Sequence, residues 1–375
     1  MRRILIIAPQ ILKQCGGISA VANNIIKGFT NINNNLAKNE IELTFLSLNE
    51  RGKVKITDNI KVIGCERYPT MALTGELQAL IKNKNSIKNY NIVHAHGRPF
   101  ELFPYIFSVP TVLTLHGVWW KLFKYGSIYT NLWPALMTTR LRFFYYSKVT
   151  RITVVSEYII NELKAEGYNV DKVSVIENPV SDDFFAVRKR EEPIIFYPAS
   201  ISPRKNQYGF LKAVLLIKKE LSDFRIIFTR PNPKFRKYMV KIKKFVRENN
   251  LKNIEITGFL PYTKILELYS RASIVALMSF QEGLPMSVIE AMATGTPVLG
   301  SSIPVFKYAI KHGKTGLLAD PTNPKDIAEK LLLLINDVNL RKRLGRNAKN
   351  EANERWRAEK IAKKYFELYL SLLSS

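Results

Sequence analysis

The sequence predicts an α/β protein of two domains. At 375 residues the chain exceeds one ordinary domain. Short apolar runs alternate with helical patterns along most of it, as in parallel sheets covered by helices. Histidines, lysines and glutamates follow several of those runs, at the strand ends where open parallel sheets bind ligands.

Composition narrows the class. Hydrophobic content of 46% is ample for two cores. The two cysteines, Cys15 and Cys65, make neither a disulfide framework nor a CxxC motif, which fits a reducing cytosol. No apolar run approaches the roughly 18 residues of a membrane span. Met1-Arg2-Arg3 before Ile4–Ala8 imitates a signal peptide, but the apolar piece is too short and suits a buried first strand. The formal charge of +26 calls for an anionic partner: nucleic acid, an anionic membrane or a phosphorylated substrate. A lysine-rich background composition is the plain alternative.

Ile4–Ala8 opens the first domain. Cys15-Gly16-Gly17 follows, then a helical pattern through Val21, Ile25, Ile26 and Phe29. Two glycines at a helix start let backbone amides approach a ligand, or simply make a turn. Ile41–Leu46 and Ile60–Ile63 read as strands and Leu73–Ile81 as a helix. Ile92–Gly97 and Thr111–Gly117 are strands that end in His94, His96 and His116. Each histidine, taken singly, also suits a structural role. Arg151–Glu157 leads from a strand into a helix with Ser156 as N-cap. Val173–Val180 is the last strand of this domain, and 180–192 reads as the linker. The expected domains are 1–182 and 190–355, with the helix at 356–375 packing back on the first.

Between Leu102 and Ser156 there is no Asp or Glu. The stretch holds Lys121, Lys124, Arg140, Arg142, Lys148 and Arg151. It also holds Trp119, Trp120 and Trp133, with Phe143–Tyr146. Basic and aromatic residues so interleaved suit a membrane interface. The same aromatics also suit a core or, with arginine, stacking on single-stranded nucleic acid.

The second domain begins with the strand Ile194–Pro198. Its loop carries Arg204 and Lys205 ahead of a helix through Phe210, Ala213, Val214 and Ile217. Cations in such a loop can neutralise a diphosphate. Phe224–Thr229 is a strand, Lys234–Asn249 a basic amphipathic helix with a solvated face, Ile254–Pro261 a strand and turn, and Tyr262–Arg271 a helix. The most informative stretch is Ser279–Glu290. A buried strand, Ile274–Met278, precedes it. Pro285 suits the first turn of the helix that follows, and Gly295 with Pro297 stops that helix. The free amides of such a helix favour an anion. Glu282 on the loop and Glu290 about two turns down accept hydrogen bonds from hydroxyls. The pair fits a ligand with both phosphate and sugar hydroxyls, although two solvated glutamates on an ordinary βα unit fit the spacing too.

That stretch, Glu282-Gly283-x-Pro285 through Glu290-Ala291-Met292-Ala293 to Gly295-x-Pro297-Val298, resembles the signature of the retaining GT-B glycosyltransferases of the GT4 family. The likeness covers nearly the whole chain and is strongest from Gly258 to Pro324. His312-Gly313-Lys314-Thr315-Gly316 and Asp320–Pro324 match the family as well. The resemblance implies a GT-B architecture, two Rossmann-like domains facing each other across a deep cleft. It implies a nucleotide-sugar donor, a glycan or lipid-linked acceptor, and transfer with retained anomeric configuration. No cofactor or metal is expected. Glu282 and His116 would meet the transferred sugar. Lys205 and Arg204 would carry the diphosphate with the amides of Gly283, Leu284, Met286 and Ser287. Glu290 would hold the ribose, the backbone of Gly258 and Leu260 the base, and Gly16 and Gly17 would reach the diphosphate. Two positions depart from the family: Ser200 stands where an Arg is usual, and Tyr308 where a Glu is usual. Arg204 is the candidate replacement for the missing Arg.

The expected location is cytoplasmic, at the inner face of the membrane, with an anionic membrane surface as partner and no nucleic acid. Two rivals remain. A sugar-nucleotide epimerase on the same fold would need acid-base residues in the cleft, and only product analysis separates the two. A basic nucleic-acid-binding protein explains the charge but leaves Glu282 and Glu290 unused. A plain NAD-binding Rossmann enzyme is disfavoured because no G-x-G-x-x-G follows the first strand.

Overall fold

A computed structural model describes residues 1–12, 17–48, 51–65, 89–96, 109–117 and 148–374. The chain divides into two compact units. One is Met1–Ser181 with Trp356–Ser375, and the other is Asp182–Arg355.

The first unit is built on a sheet of strands β1 (Arg2–Pro9), β2 (Ile41–Leu48), β3 (Lys53–Lys55), β4 (Ile60–Cys65), β5 (Ile92–His96), β6 (Thr111–Leu115), β7 (Arg151–Val154) and β8 (Val173–Val175). Among the described residues the order is β3-β4-β2-β1-β5-β6-β7-β8, parallel except for the β3–β4 pair. The inner strands are buried on both faces, as helix-covered parallel strands must be: Ile4 to Ala8 and Ile92 to His96 are all buried. The chain leaves β1 to one side for β2 and returns on the other for β5, so the switch in strand order lies between β1 and β5. Helices α1 (Gly17–Asn31), α2 (Asn33–Lys38) and α3 (Glu157–Ala165) belong to this unit. Ser156 does stand at the N-cap of α3, but its side chain makes no capping hydrogen bond. The strand expected over Val173–Val180 ends at Val175. Beyond it, Val180 pairs with Arg357 in an isolated bridge. The helix expected over 73–81 lies outside the described residues, as do Cys15 and Gly16.

The second unit holds β9 (Glu192–Tyr197), β10 (Arg225–Phe228), β11 (Ile254–Ile256), β12 (Ala272–Leu277), β13 (Val298–Ser301) and β14 (Leu317–Ala319). They form a parallel sheet in the order β11-β10-β9-β12-β13-β14. Here the switch lies between β9 and β12. Its helices are α4 (Asp182–Ala186), α5 (Gln207–Leu216), α6 (Arg236–Glu248), α7 (Tyr262–Arg271), α8 (Met286–Thr294), α9 (Pro304–Ala309), α10 (Pro324–Asn336) and α11 (Val338–Arg355). The span read as a linker is structured instead. Phe184 and Phe185 of α4 are buried, and α4 packs on α8. In α6, Ile242 is buried while Arg236, Lys237, Lys241, Lys243, Lys244 and Arg247 are exposed, the one-sided pattern the sequence predicts.

Pro285 is the N-cap of α8 rather than its first helical residue, with extended backbone (φ −72°, ψ 112°). Gly295 ends α8 in the left-handed conformation (φ 75°), where glycine carries no Cβ penalty. Helix α11 crosses that end so closely that a Cβ on Gly345 would lie 2.1 Å from the Gly295 carbonyl oxygen. The terminal helix α12 (Ala358–Leu373) begins after Trp356, which is fully buried and donates its indole N–H to Glu177 Oε1 at 2.9 Å. α12 packs on α1, where a Cβ on Gly28 would lie 2.2 Å from the Ala358 carbonyl oxygen.

Candidate functional site

In the second unit, the loops after β9 and β12 flank the switch point, the place where an open α/β sheet leaves room for a ligand. The β9 loop runs Ala199 to Asn206. Asn206 holds it in shape from a left-handed conformation (φ 54°), accepting from Gly209 N–H at 3.1 Å and donating to the Pro321 carbonyl at 2.7 Å. Gln207 donates to the Ser200 carbonyl at 3.1 Å. Tyr197, at the end of β9, is buried. Its hydroxyl donates to the Lys205 carbonyl and accepts from the Met278 amide at 2.9 Å. The Phe280 amide donates to the Arg204 carbonyl at 2.9 Å. The two loops are thereby clamped together, although 77 residues separate Lys205 from Glu282.

This clamp brings Arg204, Lys205 and Glu282 onto one point. The Lys205 ammonium bonds Glu282 Oε1. Arg204 Nη1 lies 3.1 Å from Glu282 Oε2 and donates to the Gln281 carbonyl at 2.6 Å. The Glu282 side chain is 9% exposed and that of Lys205 13%. Burial would raise the Glu282 carboxyl, but the Arg204 and Lys205 charges outweigh it and hold the group at about 2. Burial draws the Lys205 ammonium down to about 8 against the pull of Glu282, so it remains a cation at neutral pH. Two cations share one carboxylate, which leaves the cluster net positive. Lys205 has three donors and Glu282 occupies one, so an incoming anion can still be bound.

Helix α8 starts beside this loop. Gly283 and Leu284 are buried, whereas Met286 and Ser287 keep some exposure. The first amides of the helix precede any intrahelical acceptor and face outward along its axis. Glu290 lies further along α8. The Tyr269 hydroxyl stands 3.0 Å from Glu290 Oε2 and 3.0 Å from the Ser287 carbonyl oxygen. One phenolic proton cannot serve two acceptors. A protonated Glu290 resolves the conflict by donating to Tyr269 while Tyr269 donates to Ser287. Burial does push this carboxyl up, to about 7, against the Tyr269 hydrogen bond and the Arg230 charge. The unfolded group titrates near 4.5, so the folded state holds the proton more tightly. The stability this contributes is present below pH 4.5 and lost as pH rises through 7, about 1–2 kcal/mol after discounting for partial exposure. Wild type should therefore lose more melting temperature between pH 5 and pH 8 than Glu290→Gln does. Equal losses in parallel thermal melts would show that Glu290 titrates normally.

Gly258 follows β11, and its carbonyl accepts the Arg230 amide at 3.3 Å. Leu260 lies two residues on and is half-buried. Tyr308, at the position where a Glu is usual, has the Arg355 guanidinium 4.7 Å from its ring centroid. His312 accepts the Leu318 amide at 2.9 Å and so shapes the turn of its own motif.

In the first unit, the strand-end histidines form a buried cluster. His94 bonds the Tyr369 hydroxyl at 2.6 Å and the Thr114 hydroxyl at 2.7 Å. His96 Nδ1 lies 3.1 Å from His116 Nε2. Burial lowers all three, His94 to about 3 and His116 to about 4, so the imidazoles are neutral at pH 7. Gly17 is the exposed first residue of α1. Gly16 and most of the carboxylate-free stretch, including Trp119, Trp120, Trp133, Lys121, Lys124, Arg140 and Arg142, lie outside the described residues. Lys148 and Arg151 are exposed.

Tyr197, Tyr269 and Arg230 take part in the second-unit site but carry no motif. The tyrosines read as core residues, and a strand-end position is the one signal that marks Tyr197 and Arg230.

Comparison with known proteins identifies the family. Residues 181–351 match the family model described as glycosyl transferases group 1, and residues 28–184 match that of glycosyltransferase family 4. An uncharacterized glycosyltransferase of Methanocaldococcus jannaschii is 27% identical over 94% of this chain and 95% of its own. Among solved structures, a sucrose-phosphate synthase from Thermosynechococcus elongatus is similar over 100% of both chains, with a TM-score of 0.81 and 17% identity. Anabaena HepE, solved in complex with UDP and glucose, is similar over 99% of this chain and 100% of its own, with a TM-score of 0.77 and 16% identity. Likenesses at that identity speak to the fold alone.

Proposed function

Because the chain belongs to the group 1 glycosyl transferases, hexosyltransferase-type enzymes with the GT-B fold, we propose that it moves a sugar from a nucleotide-diphosphate-sugar donor to a glycan or lipid-linked acceptor, with retained anomeric configuration and without a resident cofactor or metal. The observation that carries this is the Arg204–Lys205–Glu282 cluster at the second unit's switch point, beside the start of α8.

The chemistry follows from the charges. Breaking the bond between the anomeric carbon and the diphosphate builds negative charge on the leaving group. Donors already fixed in place stabilise that charge without reorganising. Lys205, with Arg204 beside it and the amides from Gly283 to Ser287, supplies those donors. Glu282, kept ionised by the same two cations, accepts from the hydroxyls of the transferred sugar. Glu290 accepts from the ribose, and the backbone at Gly258 and Leu260 holds the base. His116, as a neutral imidazole, serves the sugar as a hydrogen-bond partner rather than as a charge. The family resemblance assigns Gly16 and Gly17 to the diphosphate as well. UDP in the complex of HepE makes uridine the first base to try.

A thermal-shift panel of nucleotide-diphosphate sugars tests the proposal, since a ligand bound by the folded state alone raises the melting temperature. At least one donor should stabilise the protein, and more than its nucleoside monophosphate does. A flat response across all bases and sugars would contradict it.

The net charge of +26 and the carboxylate-free run from Leu102 to Ser156 support action at an anionic membrane. Each Lys or Arg near such a surface contributes roughly 1 kcal/mol, and tryptophans add an interfacial anchor. Among the described residues, no helix is long and apolar enough to cross a membrane. Co-sedimentation should show binding to anionic but not neutral vesicles, weakened by salt and by Trp119→Ala with Lys121→Glu and Lys124→Glu. Equal binding to both vesicle types would reject this surface.

A further inference from the structure

Arg204 is the obvious stand-in for the arginine absent at Ser200, yet its guanidinium is already engaged by Glu282 and the Gln281 carbonyl. Another cation is tied to the same loop through the Ile201 amide. Arg230 lies two residues past β10, in the left-handed conformation (φ 56°). A side chain other than Gly, Asn or Asp is rarely held there, and such strain gathers at functional positions. Two backbone bonds pin the residue. Its carbonyl accepts from Ile201 N–H at 3.0 Å, on the loop that carries Lys205 and Arg204. Its amide donates to Gly258 O at 3.3 Å, on the turn proposed to hold the base. Arg230 is therefore fixed between the base-holding turn and the cation loop.

Its side chain is also unsatisfied. Nε is buried and has no hydrogen-bond partner, while the residue as a whole keeps partial exposure. A buried donor left unpaired is costly. The exposure the residue keeps leaves the guanidinium able to meet phosphate oxygens, which accept arginine donors in pairs. The Arg230 charge also acts on both sides of the site, lowering the titration of Lys205 and of Glu290.

We propose that Arg230 is a donor-binding residue, the second cation of the diphosphate site, gripping the phosphate nearer the nucleoside while Lys205 meets the one nearer the sugar. This rests on the nucleotide-diphosphate reading above. The backbone bonds to Ile201 and Gly258 hold Arg230 beside the cation loop, and its guanidinium adds positive charge there.

The test is calorimetric titration of the full chain with the four common nucleoside diphosphates and with the parent nucleoside of the tightest binder. Wild type, Arg230→Gln, Arg230→Lys and Arg204→Gln are compared. Losing a charge-assisted hydrogen-bonded contact should weaken nucleoside diphosphate binding about 10- to 100-fold in Arg230→Gln. Nucleoside affinity should stay unchanged, because no phosphate is involved. Arg230→Lys keeps the charge and should recover part of the loss. Arg204→Gln should cost less than Arg230→Gln. Unchanged diphosphate binding in Arg230→Gln overturns the proposal. So does an equal loss for nucleoside and diphosphate, with Lys no better than Gln, because that marks a purely structural arginine. If wild type binds none of the four nucleoside diphosphates, the donor reading itself fails, which is a different result from either of these.

Discussion

Glu282→Gln should lower turnover by about 10²–10³-fold, while donor affinity changes far less. The substitution keeps the shape of the side chain and removes its charge. Glu282 neutralises half of the Arg204–Lys205 pair and accepts hydrogen bonds as a carboxylate held near pKa 2. An amide presents one acceptor oxygen and a pair of donors, so sugar hydroxyls lose their strongest acceptor. The two cations then face each other with nothing between them but the ligand. Stronger attraction for the ground-state diphosphate would partly preserve KM while kcat falls. Steady-state kinetics of the variant decide the matter. Wild-type turnover would place Glu282 outside the reaction and leave its ion pairs purely structural.

Lys205→Ala should be comparably damaging and should also destabilise the fold. Its ammonium is nearly buried against Glu282, and removing one partner of such a pair costs about 3–5 kcal/mol when the other is left unpaired. Arg204 remains 3.1 Å from the carboxylate, so the low end of that range is expected. Turnover should drop about 10²-fold or more from the lost stabilisation of the leaving diphosphate. The double variant Lys205→Ala with Glu282→Gln separates the two effects. Its stability should recover toward wild type, because no buried charge is stranded, while its activity should not. Recovery of both would mean that Lys205 acts only by balancing Glu282.

Much of the fold is legible in the sequence because burial is written into it. Ile194–Tyr197 and Ile274–Leu277 are continuous apolar runs, and both lie in buried parallel strands. The turn chemistry is nearly as clear: Gly295 is read as a helix stop and stands in the left-handed conformation. The span 180–192 misleads because its acidic and basic residues resemble a linker, whereas Phe184 and Phe185 tie it to α8. Within the site, Lys205, Arg204 and Glu282 carry local signals, but their convergence depends on β9 and β12 being neighbours in the sheet, which chain order does not reveal. Tyr269 looks like any aromatic on a helix, and only its hydroxyl between Ser287 and Glu290 shows otherwise. Arg230 belongs to no motif, and its backbone conformation emerges only from the bonds to Ile201 and Gly258.

Retaining transfer at the second-unit site can be read from the first sugar released. Glycosyl transfer to water needs no knowledge of the acceptor. The nucleotide sugar that most stabilises the protein is incubated with it, and the anomeric proton of the released sugar is followed by NMR before mutarotation. An α-linked donor should yield the α-anomer first, and Glu282→Gln should abolish the signal. A β-anomer appearing first, or release that survives Glu282→Gln unchanged, would contradict retaining chemistry at this site.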